Sequence, residues 1–145
     1  MMKISTKGRY ALRLLADLAA NSSDKPVSIK DISTRQHISD KYLEQIISLL
    51  NNAGLVRSVR GPQGGYLLRK KANEITVGMV LRVTEGTMSP VSCVEPDAPP
   101  CEHMDQCPTI YLWKKLDKAI CDVIDNITIE DLVNERPNAG DEYCI

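Results

Sequence analysis

Residues 59–68 read VRGPQGGYLL, and this glycine-rich run separates two segments, 55–59 and 66–69, whose residues alternate as in short strands. Alternation on either side of a turn rich in Gly and Pro is typical of a β-hairpin. The three glycines permit positive φ angles and a close approach of neighbouring backbone. Because Arg60 stands at the tip, we expect the hairpin to present a positive charge to its surroundings.

Three short helices are predicted ahead of this hairpin. The first covers residues 7–21 and carries one apolar face, formed by Ala11, Leu14, Leu15 and Leu18. The second opens at Ser28, with Asp31 placed to complete a capping box. The third is capped by Ser39, keeps apolar residues at i, i+3, i+4 and i+7, and stops at Gly54.

The connection between the second and third helices is residues 35–38 alone, short enough to cross the pair steeply, as in a helix-turn-helix. Helix, turn, helix and then a basic hairpin is the order of a winged helix-turn-helix. In that fold the third helix enters the major groove of DNA, and the hairpin, or wing, reaches a phosphate or the minor groove. The same residues also allow a small helical bundle whose charges merely form a solvated face.

The charge of the 145-residue chain is divided between its halves, although the formal net charge is only -1. Residues 1–71 contain 13 Lys and Arg against 5 Asp and Glu, whereas residues 72–145 contain 5 against 14. The basic half points to a polyanion such as DNA, and the acidic half argues against nucleic acid covering the whole surface. No apolar run approaches the roughly 20 residues of a membrane span, so we expect a cytoplasmic protein.

A cysteine-bearing segment follows the next predicted helix, which covers residues 76–85. Residues 86–108 contain five prolines and three cysteines, Cys93, Cys101 and Cys107, without usable periodicity. Their x7 and x5 spacing is not the C-x2-C of common zinc sites. Three thiolates on one bent loop nevertheless suit either zinc or an iron–sulfur cluster. Five cysteines, an odd number, without a secretion signal favour thiol or metal chemistry over a disulfide framework.

After Pro108, apolar residues recur at steps of 3, 4, 3 and 4: Trp113, Leu116, Ile120, Val123 and Ile127. This seam predicts a dimerisation helix, with packing against the chain's own helices as the alternative. Another capping-box pattern at Thr128 begins a short final helix. Cys121, beside the seam, is expected to be a small buried apolar residue, and Cys144 an exposed thiol without a special role.

The predicted fold class is therefore mainly α with a small β-hairpin wing: a winged helix-turn-helix plus a long dimerisation helix. The predicted organisation is a DNA-binding domain at 1–86, a cysteine-containing sensor loop at 87–108, and the dimerisation helix, short terminal helix and tail at 109–145.

Four motifs resemble those of a known family: TKGRYA at 6–11, YLEQ at 42–45, NAGLV at 52–56 and VRGPQGGYLL at 59–68. The chain resembles the Rrf-type winged-helix transcriptional regulators from residue 2 to about 134. Within them it is similar to the IscR-type iron–sulfur cluster regulators and the CymR-type repressors of cysteine metabolism. The resemblance implies a homodimer that binds a double-stranded DNA operator through the third helix and the wing. The residues at the matching positions are Ser39, Lys41, Tyr42, Glu44, Gln45, Arg60 and Gly61.

In the iron–sulfur members the counterpart of Glu44 helps to discriminate between operators, and a carboxylate can accept from cytosine N4 or repel a phosphate. The resemblance also implies an iron–sulfur cluster, of the two-iron two-sulfur type, on Cys93, Cys101 and Cys107, with zinc as the alternative metal.

The fourth metal ligand departs from the family pattern. In the cluster regulators a His follows the third cysteine by three residues, and Ile110 stands there in this chain. Other relatives draw the fourth ligand from the first helix of the partner subunit, where Arg9 occupies the nearest equivalent position. The local candidate is therefore His103, followed by Glu102 and Asp105.

Two functions follow from these features. The first is a homodimeric DNA-binding transcriptional regulator that senses iron–sulfur cluster or redox status through the three loop cysteines. The alternative is a cluster-free, CymR-like repressor of cysteine or sulfur metabolism, controlled by a partner enzyme of cysteine biosynthesis, whose loop thiols bind zinc or sense oxidation. An enzyme is not expected, because the chain has no P-loop, no Ser/His/Asp arrangement and only two histidines, His37 and His103.

Overall fold

Helices dominate the described residues, and an antiparallel hairpin follows the third helix. The structure is a computed structural model that describes residues 3–21, 24–99 and 101–135. The helices ahead of the hairpin are α1 (Thr6–Asn21), α2 (Ile29–Gln36) and α3 (Asp40–Asn52). The hairpin consists of β1 (Val56–Val59) and β2 (Gly65–Leu68). The later helices are α4 (Val77–Glu85), α5 (Ile110–Ile124) and α6 (Ile129–Asn134), and single 3-10 turns lie at Ala72–Glu74, Ser92–Val94 and Met104–Gln106.

The helix ends follow the local capping signals of the sequence. Ser28 Oγ accepts the backbone N–H of Asp31 at 3.1 Å, and Ser39 Oγ accepts that of Tyr42 at 3.2 Å. Thr128 forms both halves of a capping box at the start of α6. His37 ends α2 in the left-handed conformation, with φ 57°. His37 and Ser39 therefore fix the turn between α2 and α3 at both of its ends.

The core lies between α1, α3 and the hairpin, and α6 closes it. Ala11, Leu14, Leu15 and Leu18 of α1 are fully buried, as the periodicity predicts. They share one cluster with the apolar face of α3, and Ile129 of α6 is equally buried in it. The C-terminal helix thus completes the same core that holds the winged helix together.

The hairpin is joined to the helices through a close backbone approach at Gly65. Val59 pairs with Gly65 at the end of the two-stranded ladder. Next to this pair, the Val27 amide donates to the Tyr66 carbonyl at 3.0 Å, and the Tyr66 amide donates to the Val27 carbonyl at 2.8 Å. A Cβ at Gly65 would lie 2.3 Å from the Val27 carbonyl oxygen, so only glycine allows this approach.

The long helix ends earlier than the seam implies. α5 stops at Ile124, and Ile127 lies beyond it, where its carbonyl accepts the amide of Val77 at 2.8 Å. Inclusion of Ile127 in the helix is therefore wrong, because the chain turns at Asp125 and Asn126. Ile124 instead packs with Val77 and Leu81 of α4 in a second small cluster. None of the helices in the described ranges is long and apolar enough to cross a membrane.

A buried carboxylate ties α1 to α2, which the sequence analysis did not anticipate. Asp17 is 3% exposed. Arg35 donates to its two oxygens, from Nη2 at 2.7 Å and from Nε at 3.0 Å, and Gln36 Nε2 donates at 2.9 Å. A carboxylate buried in this way costs free energy unless its oxygens are paired.

We therefore expect Arg35→Ala to lower the free energy of unfolding by about 2 kcal/mol, because the Asp17 carboxylate stays buried without its charged partner. Urea unfolding measures the change. The matched control is Lys118→Ala, which breaks an exposed ion pair to Asp122 of similar length; no measurable change is expected there. Equal effects of the two substitutions would contradict the role of the buried carboxylate.

Candidate nucleic-acid interface and cysteine loop

Apolar and polar side chains lie on opposite faces of α3. The buried face is formed by Leu43, Ile46, Ile47 and Leu50. Lys41, Glu44 and Gln45 are exposed, while Tyr42 is half-buried. Ser39 is exposed as well, although its hydroxyl already serves as the helix cap. The N-terminal half of α3 therefore presents donors, an acceptor and a cation to the surroundings, as a DNA-reading helix requires.

The wing tip presents one cation on a tight turn. Arg60 and Gly61 are both exposed, and Gly61 has φ 123°. The Gly64 amide donates to the Gly61 carbonyl at 2.9 Å, which closes the turn. In the described ranges, the ion pairs join Arg35 to Asp17, Arg82 to Asp125 and Lys118 to Asp122. Arg60 belongs to none of these pairs and is therefore available to a phosphate or a base edge.

Four further cations of the wing region were not singled out by the sequence analysis. They are exposed and belong to no ion pair of the described residues: Arg57, Arg69, Lys70 and Lys71. The only signal for them was the positive charge of the first half, because strand alternation does not distinguish a solvated cation from one that meets a phosphate.

The candidate metal ligands lie on one loop but are not gathered. Cys93, Cys101 and His103 are exposed, and Cys107 is half-buried. Glu102 and Asp105 are also exposed. Across residues 3–21, 24–99 and 101–135, no group of three Cys, His, Asp or Glu side chains is placed to hold a metal ion. The donor types suit a soft metal or an iron–sulfur cluster, but no coordination geometry follows from this arrangement.

Cys107 differs from the other loop thiols in its contacts with the start of α5. Its Sγ lies 3.5 Å from Thr109 Oγ1. This hydroxyl, and then the backbone amide of Thr109, lower the pKa of the Cys107 thiol; burial opposes them, and the backbone amide of Ile110 adds a smaller lowering effect. Thr109 Oγ1 also accepts from Trp113 Nε1 at 3.2 Å, which fixes its position. Cys107 therefore has more thiolate at a given pH than an ordinary cysteine.

Cys121 is half-buried on α5, so the expectation of a buried apolar residue is wrong. Its Sγ lies 3.7 Å from Arg82 Nη2. Arg82 in turn binds the Asp125 carboxylate at 2.6 Å and 3.0 Å, which lowers the pKa of Asp125. Cys121 thus lies beside an ion pair between α4 and α5. Cys144 falls outside the described residues.

The loop is anchored to the helices where it begins. Glu85, the last residue of α4, accepts from the Ser5 amide at 3.0 Å and from the Ser5 hydroxyl at 2.6 Å. Ser5 Oγ also accepts the Gly8 amide at 3.1 Å in the first turn of α1. The end of α4, just before the loop, is therefore bonded directly to the segment that starts α1.

Thr109→Ala is expected to shift the pH profile of Cys107 alkylation to higher pH, because the hydroxyl that lowers the thiol pKa most is removed. Iodoacetamide labelling of metal-free protein, read peptide by peptide, measures the profile. Thr109→Ser keeps the hydroxyl and should retain the original profile. If both variants shift equally, the hydroxyl is not the cause.

Comparisons with known proteins agree with this arrangement. The Rrf2 family, described as an iron-dependent transcriptional regulator, matches residues 4–135. The chain is 46% identical over 135 residues to the HTH-type transcriptional regulator IscR of Pectobacterium atrosepticum, covering 93% of this chain and 81% of that protein. It is 40% identical over 142 residues to the HTH-type transcriptional regulator CymR of Bacillus subtilis, covering 98% and 97%.

The solved structure of CymR, the global cysteine regulator of B. subtilis, superposes with a TM-score of 0.78 at 42% identity, covering 94% of this chain and all of that one. These relatives are transcriptional regulators rather than enzymes. The predicted fold class and resemblance are therefore confirmed, and the chain belongs to the Rrf2 family of helix-turn-helix transcriptional regulators.

Proposed function

We propose that this chain is a cytoplasmic homodimeric regulator whose affinity for its operator depends on an iron–sulfur cluster held by Cys93, Cys101 and Cys107. The observation that carries the proposal is the placement of three thiols on the one loop that connects α4 to α5. Resemblance to an iron-dependent family supports a cluster as the ligand. Residues 1–86 bind DNA in this proposal, residues 87–108 sense, and residues 109–145 dimerise.

The DNA-binding surface in this proposal combines α3 and the wing. Ser39, Lys41, Tyr42, Glu44 and Gln45 meet the major groove, while Arg60 and Gly61 meet a phosphate or the minor groove. Glu44 is the residue of this surface with the most specific proposed role. Its exposed carboxylate favours the amino group of a cytosine in the major groove and disfavours a base that presents a hydrogen-bond acceptor there. Base preference at that position is therefore assigned to Glu44.

The dimer surface in this proposal is the outer face of α5. Leu112 and Val123 are 51% and 56% exposed and lie on one side of α5, the side of the predicted seam. The seam residues Trp113, Leu116 and Ile120 are half-buried on the same side. An apolar groove of about 580 Å³ continues this surface between α5, Ile4 and Met88. Because a two-fold pair of α3 helices matches a pseudo-palindromic operator, a second copy of the chain is the occupant proposed.

The sensing loop is placed to act on both of these surfaces. It follows Glu85, the last residue of α4, which is bonded to Ser5 just before α1. Near its other end, the Cys107 thiol contacts Thr109 just before α5. A ligand that orders the loop therefore acts on α1 and on the dimer helix together. Cys93, Cys101 and Cys107 would hold the cluster, which supplies the sensitivity to iron supply and oxidation, and His103 is the proposed fourth ligand.

A second candidate function is a cluster-free repressor of the CymR type, with a cysteine-biosynthesis enzyme as partner and the loop thiols binding zinc or sensing oxidation. Two observations favour it. Ile110 stands where the cluster regulators have a His, and the similarity to CymR covers nearly the whole of both chains. The lowered pKa of Cys107 suits a thiol that reacts with oxidants.

Arg60→Ala is expected to weaken operator binding at least about fivefold at fixed salt, because it removes the cation of the wing tip. Fluorescence anisotropy with an operator selected from random sequences measures the loss. Lys118→Ala, which removes the same charge from α5, should leave the affinity unchanged. Equal affinities of wild type and Arg60→Ala would exclude the wing from the interface.

Anaerobically purified protein is expected to contain iron and sulfide and to absorb visible light. Substituting Cys93, Cys101 or Cys107 by Ala should remove the iron and sulfide together with the visible absorption, because each thiolate is a proposed ligand of the cluster. Cys121→Ala is the matched control and should retain the cluster. Iron content unchanged in the three loop variants would refute the cluster, and stoichiometric zinc without iron would favour the second candidate.

A further inference from the structure

An aromatic pair outside the apolar stripe of α3 connects this helix to α1. The ring centroids of Tyr10 and Tyr42 are 5.7 Å apart, and the ring planes meet at 79°. This is the edge-to-face arrangement that the ring quadrupoles favour. Both side chains are half-buried and pack against the core without being part of its centre.

A cation holds Tyr10 in place from the other side. The Arg13 guanidinium lies 5.2 Å from the centre of the Tyr10 ring. Its Nε donates to Gln36 Oε1 at 3.2 Å, and its Nη2 donates to the backbone carbonyl of Gln36. Gln36 is the last residue of α2, and its amide nitrogen also binds the buried Asp17. We call Tyr10, Arg13, Gln36 and Tyr42 the brace.

The brace contacts α3 in its first turn, through Tyr42. Tyr42 is the third residue of α3, and its amide is the one that Ser39 caps. The buried stripe of α3 packs into the main core, and the contact between Tyr10 and Tyr42 adds a lateral point at which α1 touches the helix. Tyr42 lies on the flank of that stripe, on the same side of the helix as the exposed Gln45 three residues later. Because α3 is one rigid helix, holding the Tyr42 ring fixes the direction in which Gln45, and on the other flank Glu44, point away from the core.

From this geometry we propose that Tyr10 and Arg13 are positioning residues that set the sequence specificity of α3 through Tyr42. The proposal rests on the proposed function, in which α3 reads base edges. It differs from a phosphate contact in what it predicts: a brace changes the discrimination between sequences, whereas a phosphate contact changes the affinity for all sequences and its dependence on salt.

The test uses the full-length chain and an operator selected with the unmodified protein. Affinities for the operator and for a scrambled duplex are measured over a salt series. Arg13→Met keeps much of the side-chain stem but removes the cation and the bonds to Gln36. We expect it to reduce the operator-to-scrambled affinity ratio about tenfold, with the salt slope of scrambled-duplex binding unchanged.

Variants of Tyr10 complete the test. Tyr10→Leu should produce a similar loss that does not add to that of Arg13→Met, because both act through one contact chain. Tyr10→Phe keeps the ring and should retain the ratio. Arg9→Met removes the same charge one turn away, where the side chain binds Thr6 rather than Gln36, and should also retain it.

The results that would contradict the brace can be told apart from those of a phosphate contact. An unchanged ratio in Arg13→Met, or a loss in Tyr10→Phe as large as in Tyr10→Leu, would overturn the brace. A parallel loss for both duplexes in Arg13→Met, with the salt slope reduced by about one, would assign Arg13 to a phosphate instead. If the unmodified protein selects no sequence at all, the proposed function fails, and the brace fails with it.

Discussion

The buried carboxylate of Asp17 is the interaction on which the arrangement of the first three helices depends. A carboxylate in the core is tolerable only when its oxygens are paired, and Arg35 and Gln36 at the end of α2 donate three side-chain hydrogen bonds to it. The end of α2 is therefore fixed against α1 by polar geometry as well as by apolar packing. Because α3 begins at Asp40, only a few residues after Gln36, the position of the end of α2 restricts where α3 can start.

The acidic half of the chain is connected to this unit at several places rather than appended to it. Ile129 of α6 is fully buried in the main core, and the backbones of Thr76 and Thr128 pair as an isolated bridge. Arg82 and Asp125 link α4 to α5. The segment between these anchors is the cysteine loop, which connects α4 to α5.

Local signals made much of the fold predictable. The caps at Ser28, Ser39 and Thr128 and the glycine turn of the wing are properties of a few neighbouring residues, and they predict helix starts and a hairpin directly. Asp17 was missed because a carboxylate among leucines shows its role only when the partner helix is in place. The Tyr10–Tyr42 contact was missed for the same reason, since the two rings are brought together by tertiary packing alone.

The candidate site was predictable to a lesser degree. The polar face of α3 follows from helix periodicity, so the placement of Glu44 and Gln45 could be read from the sequence. The metal ligands could not be placed from the sequence, because the spacing of Cys93, Cys101 and Cys107 matches no regular element. In the described part of the structure these side chains do not form a group that could hold a metal ion. The end of α5 was misjudged for another reason: an apolar spacing continued to Ile127 after the backbone had already turned.

Control of DNA binding by the cysteine loop is tested most directly by a paired operator titration under anaerobic conditions. It compares the purified protein with the variant in which Cys93, Cys101 and Cys107 are all replaced by Ala, at one salt concentration. We expect operator affinities that differ by about tenfold or more, with equal affinity for a scrambled duplex. Equal operator affinities would contradict control by the loop and would leave a regulator whose signal enters elsewhere.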